Sequence, residues 1–245
     1  MKKGEQMKKL IILSIAVTSL MLGGCAELSM LIPTVTTKTG GLTTDEIIRG
    51  LKEALTIGAA NSVSSASNMN GFYSNPQIFI PFPPEAIKVK NTLEQAGFSN
   101  LTKDFEKSLN RAAEEASKKS LPIFKNAIIS MSITDAMGIL HGSNNAATMY
   151  LKSKTEKDLT TEFIPIVKNA VQTVKVTSYW NPIVTAYNTT AMLTGGSKVN
   201  PNLEAYITQK SLDGLFLLIA QEEQKIRQNP TARVTDILKK VFGAK

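Results

Sequence analysis

One histidine and one cysteine in 245 residues leave few routes to covalent chemistry, and each can be weighed singly. His141 is the sole imidazole, so any Ser-His or Cys-His relay runs through it. It stands in the run ITDAMGILHGSNNAAT, after Asp135 and before Ser143, and no Gly-x-Ser-x-Gly elbow surrounds any serine. The plainer reading is a histidine at a helix end beside Gly142, where the helix dipole favours positive charge. Two acidic pairs, Glu114 with Glu115 and Glu222 with Glu223, fall in helical segments. Successive helix positions are about 100° apart, so one member of each pair can face inward while the other faces solvent. A buried carboxyl that keeps its proton, at Glu114 or Glu222, could serve as general acid on a glycan. The competing reading pairs Glu114 with Arg111 or Lys118, and Glu223 with Arg227, as solvated ion pairs of small energetic value. The sequence favours that reading, so no residue is assigned as catalytic, and Glu114, Glu222 and His141 are the places where catalysis would have to be sought.

Metal and cofactor chemistry has little to work with. A closed Cys/His zinc site needs four soft ligands and the chain has two. There is no glycine-rich phosphate loop, no Asp-rich calcium loop and no His-Glu-x-x-His, so neither cofactor nor metal is expected. Met1 to Lys9 carries four lysines, an apolar run follows from Leu10 to Leu22, and Gly23, Gly24 and Cys25 close it. This reads as a secretory signal. The 13-residue run is short of the roughly 20 residues that span a bilayer. The segment LGGC, Leu22 to Cys25, resembles the lipobox of bacterial lipoproteins, in which the Cys is acylated and becomes the new N-terminus. That resemblance implies lipidation at Cys25 and membrane attachment through it. Ala26 stands where an Asp would imply retention in the inner membrane, which favours the periplasmic face of the outer membrane.

The charge follows this division. The whole chain is +8, from 28 Lys and Arg against 20 Asp and Glu. Residues 1–24 hold four Lys and one Glu, so the remainder has 24 basic and 19 acidic residues, a net +5. No Lys/Arg block interleaved with aromatics appears, and nucleic acid is not an expected partner. An envelope protein or polymer is.

Residues 25–41, Thr-rich and ending in Gly40 and Gly41, read as the lipidated end and a tether, and 42–245 as one domain. Thr43 with Glu46 forms a capping-box pattern, followed by Ile47, Ile48, Leu51, Ala54 and Leu55 at helical spacing to about Ser65. Gly71 and four prolines between Asn70 and Pro84 interrupt the pattern, predicting an extended segment near 72–84. A helix from Pro84 to Ala96 ends at Gly97. Further helices are predicted at about 101–119, 122–131, 133–141, 144–153, 156–174, 178–190, 202–228 and 231–241. Asn200 and Asn229, each before a proline, are the predicted N-caps of the last two. Pro122 and Pro165 start or kink helices. The fold class is all-α, a single irregular bundle of about ten helices, with Leu212, Leu215, Phe216, Ile219 and Ala220 at its centre. The extended segment, rich in Phe and Ile, is the first candidate contact surface through Phe79 and Phe82.

Several segments in order resemble an uncharacterised bacterial family, domain of unknown function 4197. They are GLKEALTIGA from Gly50, NPQIFIPFP from Asn75, NRAAEEA from Asn110, ITDAMGILHG from Ile133 with AATMY from Ala146, FIPIV from Phe163, and the stretch from Leu212 to Gly243. The resemblance covers about residues 42–243 and implies a helical periplasmic domain, commonly behind a lipoprotein signal, without an activity to transfer. It marks Asn75, Asn110, Arg111, Glu114, Asp135, Asp213, Glu222, Glu223 and Arg227 as polar residues that make either a buried network or a ligand pocket if they converge.

Overall fold

The computed structural model describes residues 43–173, 176–195, 198–199, 202–229, 232–233 and 235–243. Among these, nine α-helices occur: α1 (Thr44–Ser67), α2 (Ile87–Gln95), α3 (Ser99–Ser117), α4 (Ser120–Ile129), α5 (Ile133–His141), α6 (Ala146–Thr173), α7 (Val176–Thr194), α8 (Leu203–Gln228) and α9 (Asp236–Gly243). A turn of 3-10 helix, Pro84–Ala86, leads into α2. The fold is all-α. Cys25, the predicted signal segment at 1–24 and the predicted tether at 25–41 lie outside the described residues.

The helices form where apolar residues recur every three or four positions. In α1 the buried set is Ile47, Leu51, Ala54, Leu55, Gly58, Ala59, Val63 and Ala66, one continuous stripe. α6 and α8 make the centre, packed along each other, with α3 against both and α4 and α5 against α6. Leu212, Leu215, Phe216 and Ile219 of α8 are each at most 5% exposed, as their spacing predicts. A glycine lets α1 approach α9: a Cβ on Gly50 would lie 2.7 Å from Val241 Cγ2.

Helix ends show where local signals succeed. Ser132 and Asp135 form a capping box at α5: Asp135 N–H donates to Ser132 Oγ (3.1 Å) and Ser132 N–H to Asp135 Oδ2 (3.0 Å). Gly97 closes α2 with φ +88°. Three expectations change. The predicted pair 144–153 and 156–174 is one helix, α6, with Pro165 inside it. Within it Ser153 and Thr155 donate their hydroxyls back to Tyr150 O (2.8 Å) and Leu151 O (2.7 Å), and the helix continues through them. The N-cap of α8 is Asn202, whose Oδ1 accepts from Ala205 N–H at 3.0 Å; Asn200 lies outside the described residues. Asn229 is the C-cap of α8, and the α-helix described after it runs from Asp236 to Gly243 rather than over 231–241.

Candidate functional site

Between α1 and α2 the chain runs as a strap, roughly residues 70–83, across α3 and α8. The extended backbone predicted near 72–84 is confined to its last residues, 79–83, because turns closed by bonds such as Ser74 N–H to Asn70 O (3.0 Å) and Phe79 N–H to Asn75 O (2.8 Å) fold the first part. Outside these turns the strap leaves N–H and C=O groups of the kind that helices pair internally, and burying them unpaired is costly. α3 supplies the partners from one face. Glu106, Asn110 and Glu114 are four residues apart, so they project in a row along the helix. Glu114 Oε1 accepts from the N–H groups of Phe72 and Tyr73, both at 3.2 Å. Asn110 Oδ1 accepts from Ile80 N–H (2.8 Å), while its Nδ2 donates to Ile80 O (2.9 Å) and Glu106 O (2.7 Å). Glu106 Oε1 accepts from Phe82 N–H (3.2 Å) and from Lys90 Nζ (2.7 Å). Arg111 braces the row: Nη1 donates to Glu114 Oε2 and Nη2 to Asn70 Oδ1 (2.7 Å).

Apolar contacts fix the strap from the other side. Phe72 and Ile80 are fully buried, and Ile78 is 4% exposed. α8 accommodates them at Gly214, where a Cβ would lie 2.8 Å from Phe72 Cε1 and 3.0 Å from Ile78 Cβ. Asn70 turns into the strap with φ +68°, a conformation Asn tolerates better than most residues. Gly71 follows because a Cβ there would meet Ser65 O at 2.2 Å.

A second cluster joins α8 to the corner between α5 and α6. Glu223 Oε1 accepts from Ala147 N–H (3.0 Å), and Oε2 from Thr148 N–H and Thr148 Oγ1 (both 2.8 Å). A carboxylate from another helix thus caps the α6 N-terminus and meets its positive dipole end. One turn later Arg227 pairs with Glu223 (Nε to Oε1, 3.0 Å) and donates through Nη2 to Ile139 O, 2.8 Å away near the α5 C-terminus. Arg233 then takes the carbonyls of Ile226 (3.0 Å) and Arg227 (2.9 Å), closing α8.

The predicted polar residues therefore gather in two groups rather than one. Asn110, Arg111 and Glu114 hold the strap; Glu223 and Arg227 hold the corner. Both ion pairs have the partners expected from helical spacing, yet neither is a solvated pair, since the carboxylates of Glu114 and Glu223 are only 5% and 6% exposed. Burial follows from the backbone N–H groups they serve.

The other predicted residues lie apart. Asn75 Oδ1 accepts from Gln77 N–H (3.1 Å) in a local turn, and exposed Asp213 pairs with Gln209 (2.9 Å). Glu222 accepts from Asn61 Nδ2 (2.9 Å) and pairs with Lys225. Asp135 is held below the usual carboxylate range by the hydroxyl and backbone N–H of Ser132, a capping role. Exposed His141 sets Nδ1 3.1 Å from Met137 O of its own helix. Phe82 is not a contact surface: at 3% exposure it packs on Phe105 (4.5 Å between rings) and Trp180 (6.0 Å). Phe79 is half-buried against Tyr73. The sequence reading missed Glu106, Asn70 and Arg233; the four-residue spacing of Glu106, Asn110 and Glu114 was the available signal for the first.

Two open grooves flank the strap. One, of about 420 Å³, is lined by Ser67, Ser108, Arg111, Lys118, Ile166 and Asn169. Its cations are each paired to a carboxylate, Arg111 to Glu114 and Lys118 to Glu115. The other, of about 360 Å³, lies between the strap and the end of α8 and is lined by Gln77, Gln221, Gln224, Lys225, Gln228 and Asn229. Among the described residues no three His, Cys, Asp or Glu gather to hold a metal ion, and no single helix is long and apolar enough to cross a membrane.

Fold and clusters together define an all-helical domain in which carboxylates serve as connectors. The chain belongs to the family described as protein of unknown function (DUF4197), whose profile matches residues 41–243. Comparison with curated proteins and with solved structures finds no match.

Proposed function

We propose that the chain is a lipid-anchored, non-enzymatic protein of the bacterial cell envelope, held through acylated Cys25 at the periplasmic face of the outer membrane and acting by binding an envelope protein or polymer. The anchor rests on the LGGC segment, which lies before the family-matched region. The observation that carries the non-enzymatic reading is the commitment of the candidate acids. Glu114 holds two backbone N–H groups and an arginine, and Glu223 two backbone N–H groups, a hydroxyl and an arginine. Glu222, the other candidate carboxylate, is shared between Asn61 and Lys225, and the remaining candidate, His141, sets Nδ1 against Met137 O of its own helix. A general acid must exchange its proton with substrate, and a carboxyl that protonates would release the backbone it holds.

Palmitate labelling with membrane fractionation tests the anchor: the parent labels and sediments with outer membranes, and Cys25→Ser does neither. A soluble, unlabelled parent overturns the localisation. For the activity, Glu222→Gln is the informative variant because its fold contacts are peripheral. Turnover of purified cell wall by the parent, lost in Glu222→Gln, would restore a glycan hydrolase or lyase.

A further inference from the structure

The groove between the strap and the end of α8 has an unusual lining. Surface helices ordinarily carry Lys and Glu on their solvent side, but α8 presents Gln221, Gln224 and Gln228 along one side, and the strap adds Gln77. Its one charged side chain, Lys225, is neutralised by Glu222 in the preceding turn. The lining is therefore electrically neutral and dense in hydrogen-bonding groups.

The amides also keep capacity in reserve. Gln221 Nε2 donates to Gln77 Oε1 (3.0 Å) and Gln224 Nε2 to Gln228 Oε1 (3.3 Å). A primary amide offers two donors and an acceptor with two lone pairs, so each Gln retains groups of both kinds for a ligand. Their positions are set by rigid elements: α8 is anchored by the Glu223–Arg227 cluster, and the strap by α3. The space, about 360 Å³, is an open surface groove that a chain can lie along.

A ligand for this surface must be uncharged, since no unpaired charge meets it, and must itself carry alternating donors and acceptors. A nucleic acid fails the first condition, and a protein hot spot calls for buried aromatic or Arg anchors that the lining lacks. We propose that the groove binds uncharged N-acetylated sugar units, the chemistry of the N-acetylglucosamine residues of a cell-wall glycan strand, with the charged lactyl and peptide substituents of the intervening residues held away from it. Hydroxyl groups donate and accept toward the Gln side chains, and acetamido groups pair with them amide to amide. The choice of polymer rests on the envelope reading above; the groove itself does not.

The test uses full-length protein in detergent, with soluble N-acetylglucosamine oligomers as probe, followed by side-chain amide resonances in NMR, and co-sedimentation with purified sacculi. The oligomer is expected to shift the Gln77, Gln221, Gln224 and Gln228 amide signals, whereas a glucose oligomer lacking N-acetyl groups does so more weakly. Gln224→Ala with Gln228→Ala, both at exposed helical positions, should leave thermal stability unchanged and weaken binding about tenfold, equivalent to about 1.4 kcal/mol. Unchanged binding by this double variant overturns the proposal. So does an extended uncharged peptide that shifts these amides while the saccharide does not. If the protein fractionates as soluble yet still binds the oligomer, the envelope reading fails and the groove stands; if it is anchored but its amides do not respond, the reverse holds.

Discussion

Replacing Asn110 by Ala isolates the strap, because this one side chain satisfies both backbone groups of Ile80. The amide is fully buried, as is Ile80. Truncation leaves Ile80 N–H and Ile80 C=O in an apolar site without partners, while Glu106 C=O keeps its bond within the helix. Each orphaned group costs about 1–3 kcal/mol, so the expected loss is about 2–6 kcal/mol. Against a total of about 5–15 kcal/mol that is a large fraction of the stability. For a domain of this size about 4 kcal/mol corresponds to a fall of roughly 8–16 °C in Tm. The chain supplies its own reporter. Trp180 is the sole tryptophan and lies 5.4 Å from the Phe105 ring and 6.0 Å from that of Phe82, the last strap residue clamped by α3. In urea, Trp180 fluorescence of Asn110→Ala should change at lower concentration than far-UV circular dichroism, because the strap leaves before the helices melt. The parent should show the two transitions together, and exposed Asn100→Ala should stay within about 0.5 kcal/mol of it. If Asn110→Ala unfolds within about 0.5 kcal/mol of the parent, the hydrogen bonds from α3 do not hold the strap and the reasoning fails.

The remaining clamps and contacts give sharper but narrower expectations. Glu223→Ala leaves Arg227 buried without its carboxylate and uncaps α6, so about 3–5 kcal/mol should be lost in thermal unfolding; Glu223→Ala combined with Arg227→Leu should lose less than the sum of the two single variants. Gly214→Ala drives a methyl against Phe72 and Ile78 and should cost about 1–3 kcal/mol by denaturant titration, with Trp180 responding first. Tyr206, whose hydroxyl donates to Pro81 O at 3.2 Å, is pushed up to about 12 by burial, with Glu85 and Glu106 adding to it. A raised folded value favours the neutral phenol, so its stabilising contribution is whole below pH 10 and is lost as pH rises toward 12. Tyr206→Phe should therefore flatten the alkaline fall in Tm between those limits.

Local pattern carried most of the helical scaffold. α5 matches its predicted span, and α1 and α3 fall within two residues of theirs, because a buried stripe and a cap are written into contiguous residues. The failures are equally physical. The break predicted between 153 and 156 is absent: in α6 the hydroxyls of Ser153 and Thr155 bond to the preceding turn and the helix continues. The strap was visible as a gap between helices, from Gly71 and its prolines, but its burial was not. Asn110 meets Ile80 thirty residues away and Glu223 meets Ala147 across 76, and such pairings leave no local trace. The same distance misled the reading of the ion pairs: helical spacing identified Arg111–Glu114 and Arg227–Glu223, while the backbone groups that draw both carboxylates inward come from remote segments. The amide row on α8 was legible as composition, but Gln77 joins it only through the fold.

The two clusters solve one problem, and the solution bears on function. A helical bundle has no sheet to receive the strap, and the N–H groups of Ala147 and Thr148 at the start of α6 have no preceding helical turn to bond to, so side chains supply what secondary structure does not. Neutral groups suffice for part of this, as Asn110 shows. Where two adjacent N–H groups point the same way, at Phe72 and Tyr73 and again at Ala147 and Thr148, a carboxylate is the matching acceptor, because its two oxygens take several donors at once and its charge strengthens each bond. An arginine in the following turn or the preceding one then offsets the charge. That arrangement makes Glu114 and Glu223 poor choices for proton transfer, since the protonated form would hold the backbone less well. Groups that can meet a ligand without loosening the domain lie outside these clusters, and among the described residues the amide row at the end of α8, bonded amide to amide, is one such set.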